Sequence, residues 1–338
     1  MALPAPYPFD HPQADLILRS ADKTPVDFRV FKLLLSLSSP FFSVLLTLPQ
    51  PTSPSPIPGS SLLLSPAPPF QHGTLEDPTL SSPAMIQMSE DSETLHTLLS
   101  FCYPISIQPI PYISSLSHLH TVAQAATKFE MDGVLAHLRS SDALLSPRFL
   151  ESQPVRVFAI ACCHGWAEEA HLAARYTLRH PVMPASANRA DELERISAGV
   201  YQRLQDYHRR CGEAASTRVL RELTVGSDDS DADDSLSEDE DAWVWVRCRF
   251  CRTGIPTGYR RWWTDWIRGV AHQLLTRPRA ETVRKVDLMQ QALAQAESCS
   301  FCSSSARDDM ETYTQMLSAH VEKAISSVCY SKTIYSGI

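Results

Sequence analysis

Glycine is scarce in this chain, with 11 residues in 338. Phosphate-cradling loops need closely spaced glycines so that backbone can approach the ligand, and neither G-x-G-x-x-G nor G-x-x-x-x-G-K-S/T occurs. G-x-S-x-G, H-E-x-x-H and the protein-kinase signatures are missing too, which disfavours an enzyme. Long apolar runs are also lacking. Leu33 to Leu48 is sixteen residues without a charge, but Pro40 and several serines interrupt it, and a spanning helix needs ~20 residues. It is expected to be buried core, with no membrane partner. The opening residues, MALPAPYPFD, hold no basic segment and no apolar run, so no signal peptide is expected. Nine cysteines fall as pairs and singles rather than as an even disulfide framework. Free or metal-bound thiols in an intracellular protein are expected, with nucleus and cytoplasm not distinguished.

Proline and locally concentrated acid are what the chain does have. Ten of its 25 prolines fall between Pro49 and Pro83. Proline fixes φ and removes a backbone donor, so 49–83 is expected to be a disordered insert rather than helix or central strand. Between Ser227 and Asp241 lie nine acidic residues and no basic one, which accounts for the whole formal charge of −8. Residues 223–242 are therefore expected to be an acidic disordered linker, and whole-chain charge says little about partners. With 43% hydrophobic residues a sizeable core is within reach. Single cores stop growing near ~250–300 residues, so more than one body is expected.

Between these breaks the periodicity is readable. Ala14–Ser20 and the alternating Val26–Phe31 read as strands joined at Asp22-Lys23-Thr24-Pro25. Lys32–Leu37 and Phe41–Leu48 read as short helices, and Met85–Met88 as a third strand. A helix carrying Leu95, Leu98, Leu99 and Cys102 follows, capped by Ser89 or Ser92. Further helices are expected over Leu116–Phe129 and Asp132–Ser140. This order predicts an α+β fold for 10–145, a small sheet covered by helices. Helical spacing then dominates two regions, 150–222 and 243–330. The first includes one helix over Glu192–His208. The second includes helices marked by Trp263, Ile267, Val270 and Leu274, by Val286 to Ala296, and by Met310 to Val328.

The segments Ala14-Asp15-Leu16-Ile17-Leu18, Asp27 to Phe42, Glu90 to Leu95, Phe101 to Ile105 and Ala125 to Met131 together resemble a BTB/POZ domain of the branch abundant in fungi. The resemblance covers about 10–145. It implies a protein-interaction module that binds partners or self-associates, giving a homo-oligomeric adaptor or scaffold. Phe28, Phe31, Phe41 and Phe42 are the candidate interaction residues. Phe31 stands where the family commonly has His. Relatives that bind cullin-type ubiquitin-ligase scaffolds carry a hydrophobic–x–Glu motif after the second short helix. Here the proline-rich insert occupies that place, so a substrate-receptor role is only an alternative.

Two local patterns carry chemistry. Cys248-Arg249-Phe250-Cys251 and Cys299-Ser300-Phe301-Cys302 are paired C-x-x-C motifs, whose four thiolates suit a tetrahedral structural zinc site. The long stretch between them means that closure would be tertiary. The alternative is that they are small buried hydrophobes. Trp243 to Lys285 carries ten Lys/Arg, two acidic residues and five tryptophans. Basic residues interleaved with aromatics can grip phosphates and stack bases, so a zinc-stabilised nucleic-acid or chromatin binder is a second alternative. The acidic tract just upstream is expected to fold back over this surface and mask it. Cys162-Cys163-His164 resembles a nucleophile–base pair, but helix neighbours point ~100° apart, so packing is expected instead.

Overall fold

The computed structural model describes residues 2–48, 83–181, 191–223, 243–251 and 259–328. The proline-rich insert and the acidic tract fall outside the described residues. The fold is α+β, and the chain divides into two units, Met1–Ser146 and Pro147–Ile338. Among the described residues there are four strands and fourteen α-helices. None of these helices is long and apolar enough to cross a membrane.

The N-terminal unit is built on a mixed sheet with strand order β1-β3-β2-β4. β2 (Leu16–Arg19) and β3 (Val26–Val30) pair antiparallel, with Leu16 opposite Val30 and Leu18 opposite Phe28. Period-two alternation puts those four side chains on one buried face, so a slip of one residue would expose them all. Arg19 and Asp27 close the same hairpin with two hydrogen bonds, at 2.7 and 2.8 Å. Donation from that guanidinium holds the Asp27 carboxyl below its ordinary pKa. β4 (Ala84–Gln87) joins β2 in parallel. β1 (Leu3–Pro4), which the sequence reading missed, lies parallel to β3 at the edge, where proline is tolerated.

α1 (Lys32–Ser38) and α2 (Pro40–Leu45) meet at Ser39. The Ser39 hydroxyl accepts from the Phe42 N–H at 3.1 Å and donates to the Phe129 carbonyl, tying α2 to the end of α4. α3 (Ser92–Cys102) is capped by neither predicted serine; the Asp91 carboxylate accepts from Thr94 N–H at 2.7 Å. An ionised cap also complements the helix dipole better than a hydroxyl. α4 (Leu116–Lys128) and α5 (Asp132–Leu138) complete the unit. They are joined through Glu130, whose φ of +52° lets the chain reverse at the end of α4.

The C-terminal unit is all helical among its described residues: α6 (Pro147–Ser152), α7 (Pro154–Cys163), α8 (Ala167–Thr177), α9 (Asp191–Glu194), α10 (Ala198–Arg221), α11 (Val244–Arg247), α12 (Arg261–Thr276), α13 (Val286–Glu297) and α14 (Ala306–Ser327). The single helix expected over Glu192–His208 is two, because Ser197 caps α10 by accepting from Val200 N–H at 3.2 Å. The regions 150–222 and 243–330, read as separate from the sequence, share one core: α10 packs against both α12 and α14. Gly212 permits that approach, since a Cβ there would lie 2.9 Å from the Leu275 carbonyl oxygen. Trp245 stacks between Trp243 and Trp263, and Tyr313 meets all three rings edge-on. The Tyr313 hydroxyl donates to Glu222 at 2.9 Å, and Arg218 holds the same buried carboxylate.

Candidate functional site

The paired cysteine motifs converge. The Asp309 carboxylate accepts from Val244 N–H at 2.8 Å and holds the start of α11. That fixes the turn leaving α11, which begins at Cys248. The second motif lies where α13 gives way to α14: Cys299 follows α13, and Cys302 opens a 3₁₀ turn over Cys302–Ser304. Cys299 N–H donates to the Ala296 carbonyl at 3.0 Å, and Ser303 N–H to the Cys299 carbonyl at 2.9 Å, so the second turn is tightly wound. Cys248 and Cys302 are fully buried, and Cys251 and Cys299 half-buried. The four sulfurs lie within 4.8 Å of one another. Cys248 Sγ is 3.8 Å from Cys299 Sγ, and Cys251 Sγ is 3.7 Å from Cys302 Sγ. None of the eight described cysteines forms a disulfide.

The environment of each sulfur differs. Backbone N–H groups of Cys302 and Phe301 point at Cys299, which with donation from Cys251 pulls its thiol down to about 6. Desolvation pushes Cys251 up to about 11 and raises Cys302 further. The buried indole N–H of Trp262 makes no hydrogen bond, and it lies near enough to Cys302 to oppose the rise that burial causes there. Arg260 donates to the Cys251 carbonyl at 2.6 Å, placing a cation beside the cluster. The Phe that precedes the second cysteine of each motif, Phe250 and Phe301, faces its counterpart with ring centroids 6.0 Å apart. Four soft donors of this kind suit a d¹⁰ or iron-type cation.

Four of the five tryptophans in Trp243 to Lys285 are withdrawn from base stacking. Trp245, Trp262, Trp263 and Trp266 are buried, at 1–4% exposure, so their faces pack against protein and are closed to bases. Periodicity already placed Trp263 on an apolar stripe; Trp245 is drawn in because α11 folds against α14, and Trp262 and Trp266 because α12 packs against α10 and α13. The masking contact by the acidic tract lies outside the described residues.

The candidate interaction residues separate into two sets. Phe28 and Phe42 are core, at 1% and 3% exposure, Phe28 against Phe9 and Phe42 against Phe129. Phe31 is half-buried against His11, and Phe41 half-buried against Phe129. On α1 and α2 the apolar side chains that do face outward are Leu33 (68%), Leu37 (76%) and Val44 (63%). The sequence reading missed them because it took the whole uncharged run from Leu33 to Leu48 as buried core, which these three side chains correct. The available signal was spacing: Leu33 and Leu37 are four apart, on the face of α1 turned away from buried Leu35.

Cys162, Cys163 and His164 sit in unlike surroundings. Cys162 is buried, its thiol pushed up to about 12 by desolvation, Cys163 is exposed, and His164 stacks on Trp166 at 4.7 Å.

A scan against protein-family models finds no match for this chain, and searches of curated proteins and of solved structures find none either.

Proposed function

We propose that the chain is a non-enzymatic adaptor, related to BTB/POZ proteins, that associates with a second copy of itself or another protein through α1 and α2. The observation carrying this reading is the outward apolar face of those helices, Leu33, Leu37 and Val44. Burying one such side chain contributes ~1.5–3 kcal/mol, so three offer several kcal/mol against the cost of association. The ordered motifs between Ala14 and Met131 resemble BTB/POZ segments, and the observed succession of hairpin, helix pair, strand and helices is compatible with that resemblance.

Light scattering coupled to size-exclusion chromatography of the full chain tests this. Wild type is expected to elute as an oligomer at micromolar concentration, and the double substitution Leu33→Asp/Leu37→Asp as a monomer with unchanged helix content. A wild type that stays monomeric removes self-association, and an oligomer indifferent to the double substitution removes this face.

A further inference from the structure

We infer that Cys248, Cys251, Cys299 and Cys302 bind one Zn²⁺ ion as a closed structural centre that fastens the turn after α11 to the junction of α13 and α14. Zinc held by four thiolates at ~2.3 Å in a tetrahedron sets its sulfurs ~3.8 Å apart. The cross-motif separations of 3.8 and 3.7 Å match that edge, and all four sulfurs fall within 4.8 Å. A disulfide needs ~2.05 Å, so neither cross-motif contact is one. Sulfurs gathered only by hydrophobic burial would have no reason to converge from two separate turns on a common centre. Four protein donors also fill a tetrahedral ion's coordination, leaving no position for substrate or water. The centre is therefore structural rather than catalytic.

The surroundings fit an anionic cluster. Zinc with four thiolates carries a net charge of −2, which needs hydrogen-bond donors and nearby positive charge. Backbone N–H groups of Phe301 and Cys302 aim at the Cys299 sulfur. The Trp262 indole N–H, buried and without a hydrogen-bond partner, lies beside Cys302. The Arg260 guanidinium lies against the Cys251 carbonyl. Binding would exchange thiol protons for one divalent cation, with no redox step: whichever of the four sulfurs still carry protons release them to solvent as four Zn–S bonds form. The ion would link positions 51 residues apart, Cys248 to Cys299 and Cys251 to Cys302, across the long intervening stretch that holds α12 and α13.

The full chain, purified under reducing conditions without chelator, is expected to contain about one zinc per molecule by elemental analysis. Cobalt reconstitution should give the intense visible bands and sulfur-to-metal charge transfer of a tetrahedral tetrathiolate, and should quench emission from the adjacent tryptophans. Chelation of wild type is expected to lower the thermal midpoint of the C-terminal unit by more than ~10 °C. Cys299→Ser, at a half-buried position where folding is least threatened, should lose the metal, whereas Cys163→Ser, at an exposed cysteine, should keep it. Iron in place of zinc, a mass four protons lighter that denotes two disulfides, or metal content unchanged in Cys299→Ser would each overturn the assignment. So would a chain that is metal-free after reconstitution and has four freely titrating thiols.

Discussion

Replacing Gly212 by alanine sets two effects of known size against each other. In a free helix alanine is favoured over glycine by ~1 kcal/mol. In α10 the new methyl would lie 2.9 Å from the Leu275 carbonyl oxygen, 3.1 Å from Leu275 Cα and 3.3 Å from the Leu274 carbonyl oxygen. All three atoms are backbone in the last turn of α12, so no side-chain rotation relieves them. Ordinary contact begins near 3.4 Å, so the helices must part by ~0.5 Å. Overpacking of this kind costs ~1–3 kcal/mol. Parting also loosens contacts around Leu204, Tyr207, Cys211 and Ala215, which are buried along the same helix. Steric cost therefore wins, and the expected net destabilisation is ~1.5 kcal/mol. All six tryptophans lie in the C-terminal unit, so their fluorescence during urea unfolding follows that unit selectively. With a urea m-value of ~2–3 kcal/mol/M, the midpoint should fall by ~0.5–0.8 M. Gly199→Ala is the control, since its methyl would meet nothing closer than 3.6 Å. A Gly212→Ala protein as stable as wild type would refute the close helix approach.

Tyr313→Phe removes a hydroxyl that donates to a buried carboxylate while Arg218 remains in place. It should cost ~1.5–3 kcal/mol in the same unfolding assay, the range for a hydrogen bond to a charged group, and a loss under 0.5 kcal/mol would contradict the network. His208 is buried, with Nε2 3.0 Å from the His180 carbonyl and Nδ1 unpartnered, so burial holds its pKa below the ordinary value. The unfolded chain binds this proton first as pH falls, so stability should be level above pH ~7.5 and decline below pH ~6.5. His208→Gln should flatten that decline, and an unchanged slope in the variant would show that other groups cause it.

Much of the architecture is local in origin and was legible. Alternation in Leu16–Arg19 and Val26–Val30 and the stripes of α3, α4, α12 and α14 arise from side-chain direction along single elements, so position in the sequence suffices. The C-x-x-C spacing likewise announces that two sulfurs can share a centre. What failed was whatever depends on a remote partner. β1 exists because Leu3 and Ala5 find acceptors at Pro25 and Asp27, which proline-rich local sequence does not foretell. The break before α10 hinged on Ser197 turning its hydroxyl to the Val200 N–H as a cap rather than continuing a helix.

Composition and periodicity alone determined that this is an α+β chain with a helical remainder and a cysteine quartet, because those properties follow from residue type and from the pitch of helix and strand. Tertiary structure decided the rest. It buried Phe28 and Phe42 and left Leu33 and Leu37 facing out, drew four tryptophans into the interior, merged two helical regions into one core, and closed two distant thiol pairs to within 4.8 Å. Each depends on which surfaces of separate elements meet, and the free energy of that meeting is a property of pairs of residues far apart in sequence.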